Sequence, residues 1–206
     1  MNGLDKLKEF INLVDSDTAT PGGGSVSALV GSFGCALARM YGHLSVNKKA
    51  FLSLEEDVRE EFVKNLNELN KIKDLLFELI EHDSNVYQEL MNAFKLPKSS
   101  DEEIEIRKAK IKESSLKVTD SPLKMMEVAF TGLVCASKLY GLGNKNALSD
   151  LIVGIYLLEA SIKGAYQNVK INLSSLDEDK VRYYETKSEE ILKEANAIIS
   201  KLNPSL

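Results

Sequence analysis

Three stretches of the chain carry residues whose types and spacing suit chemistry. The first is "TPGGGSVSALVGSFGCALARM", residues 20–40, where Gly22, Gly23 and Gly24 lead into Ser25 and a run of small residues. Glycines ahead of a helix start can form a concave row of backbone N–H groups on the positive end of the helix dipole. That setting suits a carboxylate or a phosphate. The GK[ST] ending of a P-loop is missing, so the residues alone leave two readings, an anion site or a plain loop. The second stretch, "EHDSNVY", sets Glu81, His82 and Asp83 in mid-helix with Tyr87 one turn on. Aspartate is a poor helix former, so its place there asks for a reason, of which a solvated polar face is one.

The third stretch is a stripe. From Asp150, steps of four and three pass through Gly154, Leu157, Ser161, Gly164, Asn168 and Asn172, all on one helical face. Around them, Leu151, Ile152, Ile155, Tyr156, Leu158, Ile162 and Val169 make the helix strongly apolar. Such a helix is expected to be largely buried, and its polar stripe then needs partners. Neighbouring backbone, solvent and a ligand groove all remain open.

Other chemistries find no support. The two histidines, His43 and His82, show no metal-ligand spacing to acidic residues, and no Gly-x-Ser-x-Gly elbow or Cys/His pair is present. "GLGNKNA" holds only two glycines of a dinucleotide fingerprint and follows no strand. Cys35 and Cys135 sit among small apolar residues and are expected as reduced core thiols. A net charge of −5 without a basic cluster argues against a nucleic-acid partner. The N-terminus is charged and amphipathic, unlike a signal peptide, and the most membrane-like window, residues 25–38, is too short to span a bilayer. A soluble, cytoplasmic protein without a membrane partner is expected.

The elements that must position these residues are helical throughout, for strand signals are almost absent. Leu4, Leu7, Phe10, Ile11 and Val14 form one apolar stripe, and a second helix is predicted from near Ser25 to about Leu44. Its Ser27, Gly31, Gly34, Ala38 and Gly42 share a small-residue face that lets another backbone come close. Ser53 with Glu56, and Ser100 with Glu103, fit capping boxes opening a third and a fourth long helix, the fourth reaching about Tyr140. Pro122 should kink the fourth or divide it. A fifth helix, about 145–173, and a sixth, about 175–202, complete an all-α, single-domain bundle of about six helices over residues 1–206.

Taken together, "TPGGGSVSALVGSFGCALARM", "HDSNVYQELMNAF" and "GNKNALSDLIVGIYLLEASIKGAYQNVKINL" resemble the formiminotransferase-cyclodeaminase C-terminal domain family, with "DSPLKMM" as weaker support. The resemblance covers nearly the whole chain. It implies an all-helical fold that forms a homodimer, with a tetrahydrofolate derivative bound as substrate near the subunit interface and no cofactor or metal. It implies either of two reactions. One converts 5-formiminotetrahydrofolate to 5,10-methenyltetrahydrofolate and ammonia, the first reading here. The other hydrolyses the methenyl form to 10-formyltetrahydrofolate. A non-catalytic folate-binding adaptor is the third alternative. With no room for a formiminotransferase domain, a cyclodeaminase of this length would depend on a separate formiminotransferase. By resemblance, Asp83 is catalytic, Gly22, Gly23, Gly24 and Ser25 line the folate site, and Asn144, Asn146, Ser149, Asp150 and Asn168 are candidates for the pterin edge. His43, His82 and Lys145 receive no role.

Overall fold

A computed structural model describes residues 3–202; the outer residues of the expected 1–206 domain, 1–2 and 203–206, lie outside the described residues. Seven α-helices follow one another among the described residues: α1 Gly3–Val14, α2 Gly23–His43, α3 Lys49–Leu52, α4 Glu56–Phe94, α5 Asp101–Leu139, α6 Leu148–Asn172 and α7 Glu178–Leu202. Short 3-10 turns lie at Lys145–Ala147 and Leu173–Ser175, and no strand occurs among the described residues. The expected all-α bundle is what forms. The core is built from α2, α4, α5 and α6. Leu69, Leu76, Met125, Met126, Leu133, Leu151, Leu158 and Ile162 are fully buried there, each worth about 1.5–3 kcal/mol of burial.

The capping predictions divide. At Ser100 the box closes: its Oγ accepts from the Glu103 N–H at 3.2 Å, and the Glu103 carboxylate accepts from the Ser100 N–H at 3.2 Å. At Ser53 it does not. The hydroxyl instead donates back to the Ala50 carbonyl at 2.8 Å, closing α3, and α4 begins at Glu56 without a side-chain cap.

Pro122 does not divide the fourth long helix; α5 runs unbroken through it. Proline has no N–H to offer the carbonyl four residues back, here Val118. Asn172, at the end of α6, donates its Nδ2 to that Val118 oxygen at 2.9 Å. A side chain from another helix thus replaces the missing backbone bond.

The small-residue faces explain each other. α2 and α6 run antiparallel with almost no side chains between them. A Cβ on Gly34 would lie 2.7 Å from the Gly154 carbonyl oxygen, and a Cβ on Gly154 equally close to that of Gly34. Gly31 faces Ser161 in the same way, and Gly164 faces Ser27. Most of the polar stripe on α6 is therefore its packing surface against α2. The α6 segment near Asn168 meets the N-terminus of α2, and the segment near Asp150 meets its C-terminus.

Cys35 and Cys135 are free and buried, and burial pushes the Cys35 thiol up to about 12. α1 is different: none of its residues is buried, and it lies over a groove lined by Leu29 and Phe33 of α2 and Phe77 of α4. No helix among the described residues is long and apolar enough to cross a membrane.

The backbone contact at Gly34 cannot yield as a flexible side chain would. Gly34→Ala is expected to cost about 1–3 kcal/mol, the range of overpacking. A thermal melt should then show a midpoint lower by about 2–4 °C per kcal/mol for a chain of this size; an unchanged midpoint would refute the close contact.

Candidate active site at the start of α2

The N-cap residue of α2, Gly22, has no side chain to cap the helix, and no acidic residue stands in its first turn. Its first N–H groups therefore lack partners within the helix and carry the positive end of a 21-residue dipole. The charge that meets this end comes from α4. Asp83 places its carboxylate directly over Gly24, so close that any Cβ at that position would collide with it. The glycine is needed for the approach of an acid. The Ser25 backbone N–H donates to the same carboxylate.

Serine hydroxyls complete the shell. Ser25, fully buried, has its Oγ 3.2 Å from Asp83 Oδ2, 3.1 Å from the Ile80 carbonyl oxygen and 3.3 Å from Ser84 Oγ. Ser121, on α5, donates to Asp83 Oδ1 at 3.3 Å. A hydroxyl has one proton, so Ser25 can give it to the ionised carboxylate or turn it to the Ile80 carbonyl and accept from a protonated one. The shell therefore accommodates both charge states of Asp83. Burial pushes the carboxyl above its ordinary value; the hydroxyls of Ser25 and Ser121, the Ser25 N–H and the charge of His82 oppose this without cancelling it.

A cavity of about 160 Å³ opens in front of Asp83, bounded by Gly22–Gly24, Tyr87, Pro122, Asn168 and Asn172. Asn168 donates its Nδ2 to the Gly164 carbonyl at 2.9 Å and sits over Gly23, where a Cβ would come within 3.3 Å of the amide. The Thr20–Pro21 peptide ahead of the glycines is cis. The arrangement offers an acid–base group with an elevated proton affinity, a row of backbone donors and a side-chain amide around one small space.

The formiminotransferase-cyclodeaminase family model matches residues 6–196. The chain belongs to that family. It is 31% identical to the methenyltetrahydrofolate cyclohydrolase of Methylorubrum extorquens, over 98% of this chain and 92% of the relative. It is 32% identical to the formimidoyltransferase-cyclodeaminase of Rattus norvegicus, covering 84% of this chain but 31% of that protein, so it spans about a third of that longer relative. The crystal structure of a formiminotetrahydrofolate cyclodeaminase from Thermotoga maritima superposes with a TM-score of 0.77 at 29% identity, over 95% of this chain and 90% of that one.

Of the residues that family resemblance singled out, the structure brings Gly22, Gly23, Gly24, Ser25, Asp83 and Asn168 to one place. It does not bring Asn144, Asn146, Ser149 and Asp150 there within one chain. Asp150 lies about 27 Å from Asn168 along the α6 axis, at 1.5 Å per residue. Asn144 serves the far end of α2 instead: its N–H donates to Ser45 Oγ at 2.8 Å, and its Oδ1 accepts from the Asn146 N–H at 3.1 Å. His43, also at that end, has its Nε2 3.3 Å from Arg39 Nη2. Ser121, Asn172 and Tyr87 join the site without having been singled out as site residues. Tyr87 and Asn172 do stand in the two polar stretches read from the sequence, one turn from Asp83 and at the end of the α6 stripe, and Ser121 lies within "DSPLKMM".

The elevated Asp83 carboxyl has a consequence for stability. Below the ordinary aspartate value of 3.8 the group is protonated in both folded and unfolded chains and makes no difference. As pH rises through the interval up to its higher folded value, the unfolded chain releases its proton first, and stability falls. Asp83→Asn removes that penalty. The variant is expected to melt above wild type at pH 7, with the gap closing below pH 3.8; a wild type more stable than the variant at pH 7 would reverse the sign assigned here.

Proposed function

We propose that the chain is a folate one-carbon enzyme acting on the methenyl bridge between N5 and N10 of tetrahydrofolate, either closing it by attack of N10 or opening it at N5, with Asp83 as its acid–base group. The observation that carries the reading is the buried carboxyl under Gly24, whose hydroxyl shell tolerates both of its charge states. The family and the relatives' names supply the substrate class.

In the cyclodeaminase reaction N10 attacks the formimino carbon. Asp83 takes the N10 proton and gives it to the departing nitrogen, which leaves as ammonia. In the cyclohydrolase reaction water attacks the methenyl carbon, Asp83 takes a water proton, and N5 departs protonated. The same carboxyl serves both. The cyclodeaminase reading is supported by the Thermotoga relative; the hydrolytic one is supported by a relative matched over nearly its whole length. The cavity is small, so it takes the reacting carbon and its neighbours and leaves the glutamate tail on the surface. The Gly23 and Gly24 N–H groups at the start of α2 suit a carboxylate or the electron-rich edge of a pterin. Asn168 supplies an amide for that edge.

A homodimer belongs to the same proposal. Phe33 and Met40 on α2, with Leu44 just past its end, are 46%, 46% and 43% exposed and share one side, a patch that a second copy would cover. Met40→Glu is expected to sediment as a monomer with its helical content intact, and wild type sedimenting as a monomer would remove the dimer from the account.

Absorbance at the methenyl-folate band tests the activity. It should rise with 5-formiminotetrahydrofolate for a cyclodeaminase, or fall with 5,10-methenyltetrahydrofolate for a cyclohydrolase. Asp83→Asn is expected to bind folate and to lose turnover by about a hundredfold or more. Turnover near that of wild type in this variant would take the acid–base role away from Asp83.

A further inference from the structure

Asp83 stands between two cavities. One is the pocket in front of Gly24. The other, about 360 Å³, lies between α4, α5 and α7 and is lined by His82, Ser121, Asp120, Lys124, Glu127 and Tyr183. Of these, His82, Asp120, Lys124, Glu127 and Tyr183 are all exposed, so this second cavity opens to solvent. Its volume far exceeds the about 15 Å³ that one water needs. Ser121 links it to the Asp83 carboxyl: the side chain is buried, its Oγ reaches Asp83 Oδ1 at 3.3 Å, and the residue forms part of the second cavity's wall.

The two candidate reactions differ in proton balance. Ring closure of the formiminium cation moves the N10 proton onto the leaving nitrogen, giving the methenyl cation and neutral ammonia, and nothing is left over. Hydrolysis adds water to the methenyl cation and yields neutral 10-formyltetrahydrofolate, with one water proton on N5. One further proton is released and must leave the site each turnover. Folate in the front pocket would cover the side of Asp83 that faces Gly24.

We propose that Ser121 and the His82 cavity form the proton exit of this site, a back door used when the chain hydrolyses the methenyl form. The proposal rests on the acid–base role of Asp83 and specifies which reaction the site is built for. Protonated Asp83 donates to Ser121 Oγ as that hydroxyl passes its own proton to water in the cavity, and the water passes it on to His82. An imidazole is the side chain suited to exchanging protons with solvent near neutral pH. The surroundings favour a cation in transit. Asp120 and Glu127 from α5 line the cavity and Lys124 opposes them; Tyr183 comes from α7, where the neighbouring Tyr184 hydroxyl donates to Asp120 Oδ1 at 2.6 Å. Two carboxylates thus outnumber the one lysine along the way out. His82 would act as a proton carrier without touching substrate.

The test is methenyl hydrolysis by wild type and His82→Ala, in dilute buffer of low carrier strength and again with added imidazole. In dilute buffer His82→Ala is expected to lose roughly tenfold in kcat, less than the hundredfold scale of losing the acid–base group itself. KM should stay unchanged and the solvent deuterium isotope effect should grow. Imidazole should restore the rate. Ser121→Ala should slow hydrolysis in the same way without being rescued, since imidazole replaces His82 and not the buried link. A His82→Ala rate equal to wild type in dilute buffer, a deficit that imidazole leaves in place, or equal slowing of the formimino reaction would overturn the proposal. Asp83→Asn run alongside separates the two claims: full activity there defeats the catalytic assignment, whereas an inert Asp83→Asn beside an unaffected His82→Ala defeats only the exit.

Discussion

The contact on which the site depends is the one between α2 and α6, where two backbones meet with almost no side chains between them. Gly34 and Gly154 face each other across carbonyl distance, and Gly31, Ser161, Gly164 and Ser27 continue the seam. Such a seam gives up the burial that larger residues would provide, so its stability rests on fit and not on area. In return it fixes the N-terminus of α2 relative to the far end of α6, and so Gly23 relative to Asn168. It also leaves the first turn of α2 bare, because glycines there serve approach and not packing.

Into that bare turn α4 delivers a carboxylate. A helix N-terminus attracts negative charge, and burial resists it. At Asp83 the second effect wins, by the direction of its proton affinity, even with Ser25 and Ser121 donating to it. Donors on both oxygens and burial act in opposite directions here, which fits the proposed acid–base role of a group that takes and returns a proton in one cycle. The same serines that stabilise the carboxyl also connect it, Ser25 inward to the Ile80 carbonyl and Ser121 outward to a second, solvent-facing space.

Much of this was legible in the residues, and the parts that were not have physical reasons. Asp83 stood out because aspartate in the middle of a long helix conflicts with local propensity, and such conflicts concentrate at functional sites. The Ser100–Glu103 cap could be read because it needs only an extended residue and a partner three positions on. The Ser53 box failed because a four-residue helix ends at that serine and its hydroxyl goes back to Ala50. Pro122 implied a break, and only a partner fifty positions later in the chain, Asn172, could annul it. The residues from Asp150 to Asn172 do share one face of α6. Periodicity says nothing about which stretch of a face meets what, so it cannot separate Asn168 from Asp150, which the helix holds far apart. Ser121 lay within "DSPLKMM" but had no role assigned, since a serine in a long helix is ordinary until its neighbours are known.

The account depends most on the state of one carboxyl, and that can be observed without turnover. Protein labelled with 13C at aspartate, assigned by comparison with Asp83→Asn, would give the Asp83 side-chain resonance across a pH titration. A midpoint clearly above the ordinary aspartate value of 3.8 is the expected result. A midpoint at or below 3.8 would mean that the donors around Asp83 outweigh its burial, and a carboxylate held that firmly would not be the proton carrier described here.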